Sequence, residues 1–170
     1  MIHTTHYPSP LGDILLAAKD NELIGLWIEG QENYLANFKD EITKNDSPPI
    51  FAQTKDWLDR YFADEKPKPT ELPLAPIGSD FRQRVWRILK AIPYGETTTY
   101  KKIAAQIAKQ QGVSQMSAQA VGGAVGRNPI SIIIPCHRVI GSDGSLTGYA
   151  GGLDKKAYLL KHEHADICYN

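Results

Sequence analysis

The amino-acid sequence predicts an α+β chain: a small N-terminal antiparallel sheet with one helix, then a mostly helical second half. Three observations carry this. Two short apolar runs flank a polar turn, a proline-dense segment divides the chain, and helical periodicity dominates the C-terminal half. The apolar runs are residues 12–18 and 23–29, and Lys19-Asp20-Asn21-Glu22 between them is a hairpin turn. Further on, Phe51, Trp57, Leu58, Tyr61 and Phe62 fall on one face of a helix over residues 50–62, which would cover the sheet. Pro67, Pro69, Pro73 and Pro76 then crowd a short segment, and each removes a backbone donor and restricts the residue before it. A boundary there gives two domains, residues 1–75 and residues 76–170.

In the second domain Ser79 is placed to cap a helix in which Phe81, Val85, Trp86, Leu89 and Ile92 recur every three or four residues, until Pro93-Tyr94-Gly95 ends it. Thr97-Thr98-Thr99 offers a cap for a second helix over residues 100–108, with Ile103, Ala104 and Ile107 on one face. After a polar stretch, residues 118–126 read as a third helix with unusually small side chains, and the two joined by a loop suggest a helix-turn-helix. Glycine costs up to about 1 kcal/mol against alanine inside a helix. Gly122, Gly123 and Gly126 therefore need a reason: close approach of the backbone to something, or tight packing of helix on helix. Residues 130–134, apolar but for Ser131 and stopped by Pro135, read as a buried strand that leaves Cys136 at a strand end. Ser142-Asp143-Gly144 is a turn, residues 148–152 form a small-residue loop, and residues 154–164 make a closing helix capped by Asp154.

No stretch approaches the roughly 18 apolar residues of a membrane span, and residues 1–6 lack the basic start and apolar run of a secretory signal. A cytoplasmic protein with no membrane partner is expected. Its two cysteines, Cys136 and Cys168, are then expected to stay reduced, with Cys168 an exposed tail thiol. The formal net charge of zero conceals an asymmetry. Residues 1–75 carry 7 Lys and Arg against 13 Asp and Glu, a net of −6, while residues 76–170 carry 12 against 6, a net of +6. This points either to nucleic acid on the C-terminal half or to a solvated surface that happens to segregate charge.

A cysteine near its ordinary pKa of about 8.5 is only a few per cent thiolate at neutral pH, so a nucleophilic one needs a base or positive charge nearby. His137 and Arg138 directly follow Cys136. Neighbouring side chains on an extended segment point to opposite faces, so contact between Cys136 and His137 requires a bend after Pro135 or a bridging water. A bare Cys-His pair also arises from packing alone. Zinc fits poorly, because adjacent Cys and His lack ligand spacing and no second cluster is present; no metal or cofactor is expected. His3, His6, His162 and His164 read as surface or structural residues.

The sequence Ile134-Pro135-Cys136-His137-Arg138-Val139 resembles the active-site segment of the O6-alkylguanine-DNA alkyltransferases, the methylated-DNA-protein cysteine methyltransferases. So do Pro93-Tyr94-Gly95-Glu96-Thr97-Thr98-Thr99-Tyr100, Ala120-Val121-Gly122-Gly123-Ala124, Asn128-Pro129, Gly148-Tyr149-Ala150-Gly151-Gly152 and Leu159-Leu160-Lys161-His162-Glu163, in the same order. The likeness runs over residues 81–163, and the N-terminal half agrees in general pattern only.

This resemblance implies a ribonuclease H-like first domain and a winged helix-turn-helix-like second one. It implies direct, single-turnover repair of O6-alkylguanine, and of O4-alkylthymine, in double-stranded DNA by a monomer. Cys136 would accept the alkyl group, His137 would draw its proton through water, Glu163 would orient His137, and Tyr100 would hydrogen bond the base flipped out of the helix. The glycine-rich helix, with Gln119, Ala120, Gly122 and Gly123, would enter the minor groove, whose degenerate pattern suits a search for lesions in any sequence. Asn128 would pin the turn before the active site. Backbone groups of Cys136 and Val139 would hold the exocyclic edge of the base, Arg138 would meet DNA or base, Tyr149 and Gly151 would line the alkyl pocket, and Lys101, Lys102 and Arg127 read either as phosphate contacts or as solvated surface charges.

One position departs from the family pattern: Gln119 stands where an arginine that enters the base stack is usual, and slower extrusion of the lesion is expected. Gly151, lacking a side chain, implies acceptance of groups larger than methyl. Two rival readings are a sensor that binds alkylguanine without repairing it, which Cys136 speaks against, and a Cys-His hydrolase, which would leave the glycine-rich helix unexplained.

Overall fold

The computed structural model describes residues 1–165, so the expectation for Cys168 lies outside the described residues. The chain divides into two compact units. One comprises Met1–Ile77 with Pro129–Ile133, and the other takes the remainder.

The first unit is a four-stranded sheet with one helix. Its strands are β1 (Ile2–Ser9), β2 (Gly12–Lys19), β3 (Glu22–Ile28) and β4 (Ile42–Lys44), in the order β3-β2-β1-β4. The hairpin turn expected between β2 and β3 is there. Lys19 pairs with Glu22, and Asp20 and Asn21 between them both take positive φ, 53° and 58°, the backbone twist that a two-residue hairpin loop needs. Asn21 does a second job, since its Oδ1 accepts from the backbone of Ile50 and so caps α1 (Pro49–Phe62). That helix buries Phe51, Trp57, Leu58 and Tyr61 and packs on β2 and β3. Strand β1 is not foreseen by the sequence pattern. Its residues His3, Thr4, Thr5 and His6 give no apolar alternation, yet Thr4 and Thr5 are buried between β2 and β4.

A strand over residues 130–134 does not form. Leu26 donates to Pro129 O and accepts from the backbone of Ser131, which makes one parallel bridge at Ile130, and Leu23 pairs with Leu74 in the same way. Both segments cover the otherwise open edge of β3. At Ile132 the chain turns at φ 70°, rare for a β-branched residue, with Ile133 N bonded to Ser131 O. Burial rather than a ladder satisfies this apolar run, and periodicity alone does not separate the two cases.

The second unit holds α2 (Asp80–Lys90), α3 (Tyr100–Gln111), α4 (Ala118–Gly126) and α5 (Leu153–His162), with a two-stranded parallel pairing of β5 (Thr98–Thr99) and β6 (Val139–Ile140). Each of the first three helices begins on a hydroxyl. Ser79, Thr99 and Ser117 accept from the backbone of Arg82, Lys102 and Ala120, and Gly112 ends α3 in the left-handed region. Trp86 donates its indole N–H to Ala124 O at 2.9 Å, which fixes α4 against α2 despite the small side chains of α4. Asp154 does not cap α5. Gly152, at φ 102°, takes that position, and Asp154 lies in the first turn, where its charge favours the helix dipole.

Candidate active site

Cys136 lies on a 3-10 turn, Cys136–Arg138, and not at a strand end. Pro135 (φ −82°, ψ 67°) makes the bend, closed by a 2.8 Å bond from Cys136 N to Ile134 O. Residues of a 3-10 turn step by about 120°, so Cys136, His137 and Arg138 splay in three directions instead of two. Asn128, 2% exposed and two residues past α4, donates its side-chain amide to Ile134 O at 2.8 Å. The end of α4 is thereby tied to the bend that presents the thiol.

His137 is fully buried, with Nε2 2.6 Å from Glu163 Oε2 and, among the described residues, no hydrogen-bond partner for Nδ1. Glu163, one residue beyond α5, also takes both arms of Arg138: Nε on Oε1 at 2.7 Å and Nη2 on Oε2 at 3.0 Å. Burial pushes the Glu163 carboxyl up, but the hydrogen bonds of His137 and Arg138, with the guanidinium charge of Arg138, win and hold it far below the usual carboxylate range. A carboxylate so held must accept, which puts the ring proton of His137 on Nε2 and leaves a lone pair on Nδ1. Burial, reinforced by the charges of Arg138 and Lys156, keeps the imidazole itself neutral against the pull of Glu163.

Cys136 is 6% exposed, and burial pushes its thiol up, opposed by hydrogen bonds from Asn128 and Tyr149 and by the charge of Lys156. The resting sulfur is therefore a neutral thiol that needs a base. Half-buried Tyr100 begins α3, and its hydroxyl reaches Thr147 O at 3.4 Å. Val139 is buried on β6, while Tyr149 and Gly151 lie half-buried in the loop before α5. The structure thus brings Cys136, His137, Glu163, Tyr100, Asn128, Val139 and Tyr149 into one unit.

Arg138 is a correction. In place of the expected contact with DNA or base, it is 6% exposed, and its donors go to Glu163 and, at 2.7 Å, to Ile92 O, with its guanidinium carbon 5.6 Å from the centre of the Tyr94 ring. Ile92 and Tyr94, where α2 ends, therefore hold this guanidinium. Gly95, at φ 82°, cannot readily take a side chain, because a Cβ there would lie 3.1 Å from Glu163 O.

Gln119, Ala120, Gly123 and Gly126 face outward on α4, and Lys101, Lys102 and Arg127 are exposed. The space around the glycines decides between close approach and internal packing. Among the described residues, a Cβ at Gly123 or Gly126 would meet no atom within 4 Å, and one at Gly122 would make only ordinary contact with Tyr100, at 3.7 Å. Packing inside the chain explains none of the three.

Sequence reasoning misses Lys156. It is fully buried on α5, with Nζ on Val139 O at 2.5 Å, Thr147 O at 2.6 Å and Gly148 O at 3.3 Å. A signal exists: Lys156, Leu159, Leu160 and Glu163 are spaced as one helical face, and a lysine on an apolar stripe calls for partners.

Residues 80–165 match the family described as "6-O-methylguanine DNA methyltransferase, DNA binding domain", and residues 2–76 match "6-O-methylguanine DNA methyltransferase, ribonuclease-like domain". The methylated-DNA–protein-cysteine methyltransferase of Haemophilus influenzae is 41% identical over 95% of this chain and 86% of its own length. The one from Methanosarcina barkeri is 46% identical, over 94% and 95%. The crystal structure of Mycobacterium tuberculosis OGT in complex with DNA superposes with a TM-score of 0.81 at 41% identity, covering 95% of this chain and 92% of that one. Matched in both halves and over nearly its whole length, this chain belongs to the 6-O-methylguanine DNA methyltransferase family.

Proposed function

We propose that this protein repairs alkylated DNA directly, moving the alkyl group from O6 of guanine, or O4 of thymine, onto Cys136 Sγ, once per molecule. One observation carries the reading: a buried imidazole fixed by Glu163 at one nitrogen, with a lone pair at the other, directly follows a buried thiol. His137 Nδ1 takes the thiol proton through an intervening water, and the imidazolium that forms is stabilised by Glu163. The sulfur attacks the saturated carbon, the new S–C bond replaces the C–O bond, and the electron pair returns to the base, where Tyr100 hydrogen bonds the developing charge. The product is a thioether. It has no leaving group that water can displace, so the thiol is not restored.

Duplex DNA is the partner. The lesion leaves the stack to reach a thiol this deeply buried, and the bare backbone at Gly123 and Gly126 lets α4 approach the minor-groove walls. Gln119 occupies the gap left by the base, without the charge of an arginine. Val139 and Asn128 shape the base pocket, and Tyr149 and Gly151 its alkyl end. A sensor needs neither the thiol nor its base, so that reading is not favoured. The need for a reduced thiol, and the absence among the described residues of a helix long and apolar enough to cross a membrane, suit a cytoplasmic site of action.

The test is the fate of the methyl group. On incubation with a duplex bearing one O6-methylguanine, guanine is restored and the peptide containing Cys136 carries the methyl. Cys136→Ser restores none, and release of free methylated base or of methanol would refute the proposal.

A further inference from the structure

A groove of about 540 Å³ lies between α2 and α3 in the second unit, and the proposed repair makes no use of it. Arg84 and Arg87, one turn apart on α2, form one wall, and Gln106 and Gln110, one turn apart on α3, form the other, with Ile88 and Ile92 adding apolar surface. Arg60 and Arg138 each hold a carboxylate. The side chains of Arg84 and Arg87 have no hydrogen-bond or ion-pair partner among the described residues. Ala104 and Ala108 line a separate cleft with Ser117 and Ala118 at the start of α4. Residues two apart on a helix point about 200° apart, so Gln106 and Gln110 lie on the side of α3 turned away from that cleft. A duplex seated on α4 leaves the groove open.

We infer that this groove docks an extended acidic segment of a partner protein, in which two carboxylates at alternate positions pair with Arg84 and Arg87 while Gln106 and Gln110 hold the main chain. The spacing fits. Alternate residues of an extended chain point the same way and stand about 6.7 Å apart, close to the roughly 6 Å rise from Gln106 to Gln110. Each side-chain amide can donate to and accept from a peptide group at that repeat. On the facing wall, guanidiniums one turn apart are neighbours, and each can take a carboxylate with two parallel bonds. Glu96, in the loop after α2, adds a carboxylate to the lining. It opposes a uniformly anionic nucleic-acid backbone and suits a peptide that also carries a lysine. The inference is independent of alkyl transfer, since neither arginine belongs to the site around Cys136.

The experiment follows the fluorescence anisotropy of a labelled Gly-Glu-Val-Glu-Val-Lys peptide titrated with the full chain. Saturable binding is expected, and it weakens about 10-fold or more in the double variant Arg84→Glu, Arg87→Glu, as for the loss of two close charge pairs. That variant in turn gains affinity for the charge-reversed Gly-Lys-Val-Lys-Val-Glu peptide, a switch that a merely structural role does not produce. Cooperative thermal unfolding and labelling of Cys136 by free O6-benzylguanine stay as in wild type. Should the double variant fail to fold, Gln106→Ala with Gln110→Ala decides the matter by weakening the acidic peptide without a gain for the basic one. Equal peptide binding by wild type and variant would overturn the inference, as would no saturable binding up to about 1 mM. Displacement of the peptide by a single-stranded oligonucleotide at lower concentration than by unlabelled peptide would overturn it in favour of nucleic acid. Sedimentation in which the two arginines hold copies of this chain together would do so in favour of self-association.

Discussion

The chemistry depends on how a buried carboxylate is shared. Glu163 receives His137 on one side and the fork of Arg138 on the other, so the imidazole proposed as the base is held by a pair that is itself fixed. His137 and Glu163 are legible from the resemblance, whereas the role of Arg138 is not, because a basic residue next to an active-site cysteine reads equally as a DNA contact. Only its burial against Ile92 and Tyr94 separates the two. The shared carboxylate also ties stability to pH. With its folded pKa held below the ordinary value of 4.5, Glu163 contributes stability that is fully present above about pH 4.5 and is lost as the pH falls through the lower folded value. Glu163→Gln leaves Arg138 buried without its counter-charge and should cost about 3–5 kcal/mol near neutral pH. Thermal unfolding from pH 7 down to pH 3 should show the gap between variant and wild type closing in acid, and a constant gap would deny the carboxylate this role.

Helix α4 is defined by what it lacks. Its glycines read from the sequence as either packing or approach, and the open space around Gly123 and Gly126 rules out packing among the described residues. The helices are legible because periodicity and hydroxyl caps agree at Ser79 and Thr99. Strand β1 escapes the sequence pattern because threonine and histidine hide a buried strand, and residues 130–134 mislead because a buried apolar run needs no ladder. Gly123→Leu should raise helix stability by up to about 1 kcal/mol while slowing repair of duplex DNA, with labelling by free benzylguanine unchanged. Gln119→Arg should act in the opposite sense, speeding duplex repair alone. Paired rates on duplex and free base check both, and equal effects on the two substrates would remove α4 from DNA entry.

The molecule as a whole divides its labour by charge. The first 75 residues carry a net of −6 and the remaining 95 a net of +6, and every residue of the thiol, base and pocket belongs to the second unit. The division near the proline cluster is visible in composition. The return of residues 129–133 to the first unit is not, because it depends on which strand edge the chain meets. A chain that stores its product as a thioether is a reagent, and its capacity equals its cysteine. The most direct measurement is intact mass with an excess of duplex bearing O6-methylguanine. Each chain should gain one methylene equivalent, about 14 Da, at Cys136 and then stop, because a thioether is not hydrolysed. Methyl groups removed in excess of the protein, or an unmodified Cys136 beside repaired DNA, would contradict the account.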